Sequence, residues 1–552
     1  MRSLSLFFPS SPDRSHSAKR ARRRAFFLCL TTIVVLWLAF FVGPGGFSSF
    51  DNKALLLTAL FYISLFIILS LVFSSVSCFL LLVAPTALLS FASRKKELLT
   101  GEPLIFGDLT HLHNISIALR YAKPSWGGLA VLAVFFLLVA CVVFNARISR
   151  KKLICAPIAL LVAASAAAGG IGLFGQCGAR LGVQYLSWDW PTNGRQNGLL
   201  VHLAQTSVRP APGRLTEAQK AQFAAFEESA TVEPGKAPPL FIEVLCESCW
   251  YNGALFRDNF TPLVNLGAVE MRGISPIFGG GTVNASFEML TGLPTHNAAV
   301  AGILYQEYRD FFADHTSSLP SHLARNDIET LSAHNFQRQF WFRNVVEPKL
   351  GFATFYGIED MNPPESPDGD FPRDNILFDF ALGKLDGSSR PQFVQLATVH
   401  NHGPYVSEND DGGRAHYLRK IDATVSDIAA FVTAVRKRYP QAVVLVYGDH
   451  KPALEALGDF RGSDKHSTGD VPVLLFDPDE ERAQTVRGTL IDKPFYCYAP
   501  GIADLYFGMK LPVSRFTDDI CRAYSPERYD DLSQSVPGWV YSAALFDGGV
   551  RQ

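Results

Sequence analysis

The chain of 552 residues has few charged side chains and almost no net charge. Asp, Glu, Lys and Arg make up 18% of it, the formal net charge is −1, and no long basic run lies outside the N-terminus. This balance argues against a nucleic acid as the main partner. The mean hydropathy of +0.13 excludes a disordered chain, a coiled coil, a collagen or a purely soluble enzyme, and it indicates membrane segments.

Long uncharged apolar stretches are concentrated in the first third of the chain. Residues 25–42 are long enough for one membrane-spanning helix. Residues 54–93 contain no charge over a length that suits two helices, joined by a turn near residues 74–77. Residues 126–144 and 153–174 complete five predicted spans, which define a transmembrane domain over residues 25–175.

Basic residues set the predicted orientation of these spans. Residues 1–24 end in a basic cluster, and a second cluster lies at residues 147–152, so both are expected in the cytoplasm. Five spans satisfy both clusters and place everything after residue 175 outside. The basic residues 94–96 then fall on the outer side, which the rule disfavours. Residues 106–122 have apolar residues at roughly helical spacing and are expected to lie along the outer membrane surface.

The rest of the chain has the pattern of an α/β domain. Residues 176–239 form a predicted linker region, rich in Pro, Ala, Glu and Gln in its later part and containing one helix. From residue 240 to 552, short apolar runs alternate with longer amphipathic stretches, which predicts a mainly parallel sheet covered by helices. The strand candidates are residues 240–246, 392–399, 443–447 and 471–477.

Polar residues follow three of these strand candidates directly. Glu247 follows the first, His402 lies just after the second, and Asp449 and His450 follow the third. Ligands of α/β domains bind at the carboxyl ends of the strands, so these side chains are expected to converge. Glu, Asp and His are suitable ligands for a divalent cation such as manganese, zinc or magnesium.

A glycine-rich segment precedes a helical pattern in the same domain. Three glycines at residues 279–281 let the backbone approach a ligand, and Thr282 follows them. The helical pattern after Thr282 would place its hydroxyl at a helix N-terminus, where a phosphate is favoured. The alternative is an ordinary glycine-rich turn with a capping threonine.

Five of the nine cysteines are expected on the outer side of the membrane, where disulfides are permitted. Cys497 and Cys521 are a candidate pair. Cys246 and Cys249 form a CxxC sequence, which is typical of a redox site or half of a zinc site, but no second CxxC accompanies it. Cys177 is the fifth, and the pairing of the set stays open.

Six segments of the second half together resemble the catalytic domain of lipoteichoic acid synthases and related phosphoglycerol transferases, in the alkaline phosphatase and sulfatase superfamily. The membrane region, with GEPLIFGDL at 101–109, is also similar to that family. No C/S-x-P-x-R sequence occurs, which excludes a formylglycine sulfatase. The six segments are IEVLCESCW (242–250), DNFTPLVNLG (258–267), SPIFGGGTVNASFEMLTGL (275–293), HNFQRQFWFRN (334–344), ATVHNHGPY (397–405) and VYGDHKP (446–452).

The resemblance implies a metal-dependent phosphotransferase. Thr282 would be the nucleophile that takes the head-group phosphate. Glu247, Asp449 and His450 would hold one divalent cation together with Thr282, and that cation is manganese in characterised relatives, with magnesium and zinc as alternatives.

The resemblance also implies the substrates. Trp341 and Arg343 would bind the glycerophosphate group, and His402 would contact the phosphate and protonate the leaving group. The donor would be phosphatidylglycerol and the acceptor a glycan or glycolipid on the periplasmic side of a Gram-negative inner membrane, because residues 283–285 replace the more acidic residues of Gram-positive synthases. Phosphoethanolamine transfer to a glycan or lipid A, a metal-dependent phosphodiesterase of the same fold and a non-catalytic scaffold are the alternatives.

Overall fold

The computed structural model divides the chain into two compact units. The first extends to residue 208 and the second runs from residue 209 to the C-terminus, apart from short crossings at 99–101 and 187–189. The structure describes residues 14–41, 50–70, 73–100, 103–110, 177–187, 190–207, 213–253, 255–363, 371–385, 390–403, 405–406, 411–454, 457 and 470–546.

The described part of the first unit is helical. Its elements are α1 (Arg14–Phe41), α2 (Asn52–Ser70), α3 (Ser75–Thr100), α4 (Phe106–Thr110) and α5 (Trp190–Thr206).

Three of these helices are long and apolar enough to cross a membrane, at Ala21–Phe40, Asn52–Ser70 and Ser75–Glu97. They correspond to the first three predicted spans. The predicted spans at 126–144 and 153–174 lie outside the described residues, so the structure supports three spans of the predicted five.

The predicted turn between the second and third spans is confirmed. α2 ends at Ser70, and α3 begins at Ser75. The Ser77 backbone N–H donates to Ser74 Oγ at 3.1 Å, so Ser74 satisfies an otherwise unpaired donor of the first turn of α3. The surface segment predicted at 106–122 is described only as far as Thr110, where α4 ends.

The second unit contains a twisted eight-stranded sheet. The strand order is β4-β3-β5-β1-β6-β7-β2-β8. All pairs are parallel except those of β7, which runs antiparallel to both β6 and β2. The strands are β1 (Leu240–Cys246), β2 (Val269–Ile274), β3 (Glu329–His334), β4 (Thr354–Tyr356), β5 (Gln392–Ala397), β6 (Val443–Gly448), β7 (Asp470–Phe476) and β8 (Lys493–Pro494).

The α/β class is confirmed, and the expectation of a mainly parallel sheet needs correction because the sheet is mixed. The four predicted strands correspond to β1, β5, β6 and β7. The direction of β7 could not be read from its sequence, because a strand buried on both faces gives the same continuous apolar run in either direction.

Helices pack on this sheet and close its core. The longest is α13, whose Ile421, Val425, Ile428 and Val432 are buried at helical spacing. The helices of the second unit are α6 (Glu217–Ser229), α7 (Thr261–Asn265), α8 (Thr282–Thr291), α9 (Leu304–Tyr308), α10 (Leu319–Arg325), α11 (Arg343–Lys349), α12 (Asn375–Lys384), α13 (Arg414–Arg438), α14 (Glu480–Leu490), α15 (Tyr498–Phe507), α16 (Ser514–Arg522), α17 (Tyr529–Gln534) and α18 (Gly538–Leu545).

Two disulfides join cysteines of the second unit. The candidate pair Cys497–Cys521 is confirmed, with the Cα atoms 5.8 Å apart. Cys246 and Cys249 are joined to each other, so their thiols are not held as half of a zinc site. Cys177 is free and exposed.

Candidate active site

Two neighbouring strands bring three buried polar side chains together. β1 and β6 are parallel, and the last residue of β1, Cys246, pairs with Gly448. The next residues are therefore Glu247 on one chain segment and Asp449 and His450 on the other. All three side chains are almost completely buried, and one ligand atom of each lies within 4.8 Å of the others.

The surrounding hydrogen bonds fix the orientation of these groups. Asp449 Oδ1 accepts from the Ser248 and His450 backbone N–H groups at 2.7 and 2.9 Å. His450 Nδ1 donates to the Lys451 carbonyl at 3.0 Å, which leaves Nε2 facing the two carboxylates at 3.4 Å from each. Within the described chain, neither Asp449 Oδ2 nor His450 Nε2 makes a hydrogen bond. Two such orphaned ligand atoms fit a bound cation.

Charge within the cluster is strongly coupled. Burial, with repulsion from Glu247, raises the pKa of Asp449 to about 7. Burial alone would lower the pKa of His450, but attraction to Asp449 and Glu247 raises it to about 9. The two carboxylates therefore require a positive charge beside them, which a protonated His450 or a divalent cation supplies.

Thr282 reaches the same cluster from a helix N-terminus. It is the first residue of α8, and the preceding Gly281 has φ 83°. That left-handed conformation, and a gap in which a Cβ would lie 2.9 Å from Ile303 Cδ1, require glycine there. Thr282 Oγ1 donates to Glu247 Oε2 at 3.1 Å. The position predicted for Thr282 at a helix start is thus confirmed.

The end of β5 supports Glu247 from the other side. The Glu247 backbone N–H donates to Thr398 Oγ1 at 2.9 Å, and Asn401 Nδ2 donates to the Glu247 carbonyl at 3.2 Å. Sequence analysis missed Thr398 and Asn401 as positioning residues. The signal was available, since both lie at the carboxyl end of a predicted strand.

His402 follows Asn401 and is half-buried. Its Nδ1 donates to the Gly403 carbonyl at 2.7 Å, so Nε2 is the nitrogen that can take up or release a proton. Burial by itself would raise the pKa of Glu247, but the charges of His402 and His450 and hydrogen bonds from His450 and Ser248 lower it to about 2. His402 thus acts on the cluster through its charge.

Arg343 and Trp341 lie at the start of α11 and just before it. Arg343 is 1% exposed, and its Nη1 donates to Glu347 Oε1 at 2.7 Å, one helical turn later. Trp341 is half-buried with φ 54°, and its ring packs against Phe340 at 5.3 Å between centroids. Arg343, with burial, lowers the pKa of His334 to about 3.

The predicted site residues therefore divide into two groups. Described hydrogen bonds and ion pairs join Glu247, Thr282, Asp449 and His450 into one cluster. Arg343 is instead held by Glu347, which sequence analysis did not single out.

Comparisons with known proteins place the second unit in a family. Residues 239–494 match the model of the sulfatase family, which confirms the resemblance drawn from the motifs. A protein of Rhizobium meliloti (strain 1021) named for cyclic beta-1,2-glucan modification is 26% identical over 313 residues. The match covers 53% of this chain and 48% of the relative, so the chain spans about half the length of that curated relative.

Solved structures share the fold. An integral membrane lipooligosaccharide phosphoethanolamine transferase of Neisseria meningitidis matches with a TM-score of 0.50 at 14% identity, over 87% of this chain and 95% of its own. A phosphoglycerol transferase of Streptococcus pyogenes, solved with sn-glycerol-1-phosphate, matches with a TM-score of 0.45 at 17% identity, over 61% and 95%. At these identities the likeness shows the fold alone.

Proposed function

We propose that this chain, whose residues 239–494 form a sulfatase-family domain of the alkaline phosphatase superfamily, is a membrane-bound phosphoglycerol transferase. It moves glycerophosphate from phosphatidylglycerol to a glycan acceptor outside the cytoplasm. The transferred group is carried as a phosphodiester on Thr282.

The observation that carries this proposal is the convergence on one buried point. Thr282 Oγ1 lies 3.1 Å from Glu247 Oε2, and Glu247 belongs to the buried group with Asp449 and His450. A threonine hydroxyl at a helix N-terminus beside a cation site is an arrangement suited to attack on a phosphate.

Glu247, Thr282, Asp449 and His450 fit one divalent cation, for which we propose manganese, with magnesium or zinc as alternatives. When bound, the cation supplies charge stabilisation of the phosphoryl oxygens and lowers the pKa of the threonine hydroxyl.

The chain's own residues account for the remaining steps. Thr282 Oγ forms a bond to the phosphorus while the bond to the diacylglycerol oxygen breaks. Diacylglycerol takes a proton from His402 Nε2, and the hydroxyl proton of Thr282 passes to water. An acceptor hydroxyl then attacks the same phosphorus, its proton returns to His402, and Thr282 regains a proton from water.

Arg343 is proposed to bind the phosphate oxygens and Trp341 the glycerol. The Arg343 guanidinium is rigidly held on one side by Glu347, and its buried Nε makes no hydrogen bond to the described residues. A fixed planar cation with a donor to spare suits a phosphate.

We further propose that the catalytic domain covers residues 240–552 and acts in the periplasm, beyond a transmembrane domain at 25–175 and a linker at 176–239, in the inner membrane of a Gram-negative cell. The two disulfides agree with an oxidising compartment. The name of the rhizobial relative supports a glucan acceptor.

The test is mass spectrometry of the purified full-length protein after incubation with phosphatidylglycerol and manganese. A glycerophosphate adduct on the Thr282 peptide, absent with a chelator, is expected. Thr282→Ala should abolish both adduct and transfer. Ser286→Ala is the matched control, since it removes a buried hydroxyl from the same helix without touching the cluster.

Other outcomes would redirect the proposal. An adduct formed only with phosphatidylethanolamine would identify a phosphoethanolamine transferase with the same nucleophile. Hydrolysis of soluble phosphodiesters with no adduct and no acceptor would identify a phosphodiesterase. Full transfer by the Thr282→Ala protein would end the nucleophile assignment.

A further inference from the structure

The first unit contains a cavity of about 50 Å³ that opens to its surface. It is lined by the ends of α1 and α3 and by α5. Its lining combines apolar groups, including Phe40, with the polar side chains of Ser90, Arg94, Glu97, Arg195 and His202. A lining of this kind is typical of a site for an amphipathic molecule with a polar head.

Two cations and one anion lie in the cavity wall. Arg94 Nη1 lies 3.7 Å from Glu97 Oε2, and Arg195 Nη1 lies 3.5 Å from Glu97 Oε1. One carboxylate thus faces two guanidinium groups, neither of them within 3 Å. The wall keeps one positive charge in excess, so the cavity favours an anion.

His202 adds a hydrogen-bond donor to the cavity. Its side chain is completely buried, and burial together with the charge of Lys96 lowers its pKa to about 3, although the Leu104 carbonyl offsets part of this. The ring is therefore neutral. Because Asn193 Nδ2 donates to Nδ1 at 3.0 Å, the proton of His202 lies on Nε2.

No group of the described chain accepts a hydrogen bond of normal geometry from His202 Nε2, and the buried Ser90 Oγ also makes none. Both residues line the cavity. Buried donors without partners are costly, and an anion's oxygen atoms would satisfy them.

The cavity lies at a defined end of the spanning helices. Leu38 and Phe40 belong to the C-terminal end of α1, and Arg94 and Glu97 to the C-terminal part of α3. Two helices that cross a membrane in the same direction end on the same side, which is opposite the basic N-terminal cluster. The basic residues 94–96 are therefore on the side that the positive-inside rule disfavours, and a binding role would account for Arg94 there.

We propose that this cavity binds the phosphodiester head group of an anionic phospholipid. Basic pockets between membrane helices are suited to such head groups. Arg94, Arg195, His202 and Ser90 contact the phosphate and glycerol oxygens, and Phe40 packs on the apolar part. The inference deepens the proposed function, since it rests on phosphatidylglycerol as the donor class.

The test measures lipid binding by native mass spectrometry on the full-length Thr282→Ala protein in detergent with a chelator, so that turnover and the cation site do not contribute. The probes are phosphatidylglycerol, phosphatidylcholine and free sn-glycerol 3-phosphate. Phosphatidylglycerol should bind best. Arg94→Gln and Arg195→Gln should each weaken its binding about tenfold.

Lys95→Gln is the matched control. Lys95 carries the same charge beside Arg94 but is exposed and lies over the Phe91 ring, away from the cavity lining. It should change binding by less than about twofold. Thermal unfolding midpoints check that each variant is folded, and the two arginine variants lie on different helices, so either one suffices.

Equal weakening by Lys95→Gln would show diffuse surface attraction and overturn the proposal. Equal binding of phosphatidylcholine would overturn the charge selectivity, and equal binding of free glycerophosphate would overturn the lipid assignment. Specific binding in a protein that forms no Thr282 adduct would uphold the cavity and count against the proposed function alone.

Discussion

Glu243 and Glu247 lie one after the other along the same chain segment, yet they differ in charge state. Glu243 is in the interior of β1 and Glu247 directly follows its end, and both are buried. Burial raises the pKa of Glu243 to about 8, while the pKa of Glu247 is lowered to about 2. Equal burial thus gives a neutral acid in one place and a carboxylate in the other.

The difference lies in the neighbours. Among the described residues, neither oxygen of Glu243 has a hydrogen-bond partner, and it sits beside Gln395 and Leu445 on the adjacent strands. Glu247 has Ser248, Thr282 and His450 within reach of its oxygens. The open ends of strands leave room for such partners, whereas the flat interior of a sheet offers neighbouring side chains at fixed positions.

Glu347 is an intermediate case. It is completely buried, and its pKa is raised by burial even though Arg343 donates to it at 2.7 Å. The pair neutralises its own charge, so it can position Arg343 without a cation.

The largest effect is expected from the end of the strand. Glu247→Gln keeps the shape of the side chain but removes a charged ligand, so transfer should fall by at least about 100-fold with the fold intact. Glu243→Gln, in the same strand, should keep transfer close to wild type, because a neutral acid and an amide are alike. Transfer assays on both proteins check this. Comparable losses in the two would contradict the contrast between strand end and strand interior.

The buried ion pair should come next. Glu347→Leu leaves the Arg343 charge without a partner, and the free energy of unfolding should fall by about 3–5 kcal/mol. The double variant Arg343→Met with Glu347→Leu should recover most of it while transfer stays low. Denaturant unfolding measures both.

The control for this prediction is the exposed pair Arg522–Asp519. Asp519→Asn should leave unfolding unchanged, because an exposed ion pair contributes little. If Glu347→Leu were equally silent, Arg343 would not depend on Glu347 for its position.

The smallest effect concerns Glu243 and depends on pH. Its pKa is about 8 in the folded chain against an ordinary value of 4.5, so folding holds a proton that the unfolded chain releases. This contribution to stability is therefore lost as pH rises from about 4.5 to about 8.

Glu243→Gln has no proton to lose. Its stability relative to wild type should rise with pH across that window, by on the order of 4 kcal/mol in total. Unfolding midpoints at pH 6 and pH 8 test this, and a difference that did not change with pH would show that Glu243 is not held protonated.

The elements that sequence analysis predicted share continuous apolar runs. β1, β6 and β7 are buried on both faces, and their patterns stand out without alignment to anything else. β2 and β3 were missed because they carry polar and charged residues, such as Arg272, which is exposed on β2 and pairs with Asp492. Such strands are recognised only from their partners.

For the site, Glu247, Thr282, Asp449 and His450 were predicted because strand ends and a glycine-rich helix start are local signals. Thr398 and Asn401 were not, since their role is to hold the backbone around Glu247 from another strand. Glu347 stands four residues after Arg343, a helical spacing that was visible but carried no weight without a helix.

By itself, the sequence determined the apolar helices near the N-terminus, the α/β class of the second unit and the residues that meet at the carboxyl ends of β1 and β6. These depend on hydrophobic length, on alternation and on local turn chemistry. Only the tertiary structure decided the reversed direction of β7, the pairing of Arg343 with Glu347 and the opposite charge states of Glu243 and Glu247. Those depend on which groups lie within a few ångströms in a medium without water, and a sequence does not contain that distance.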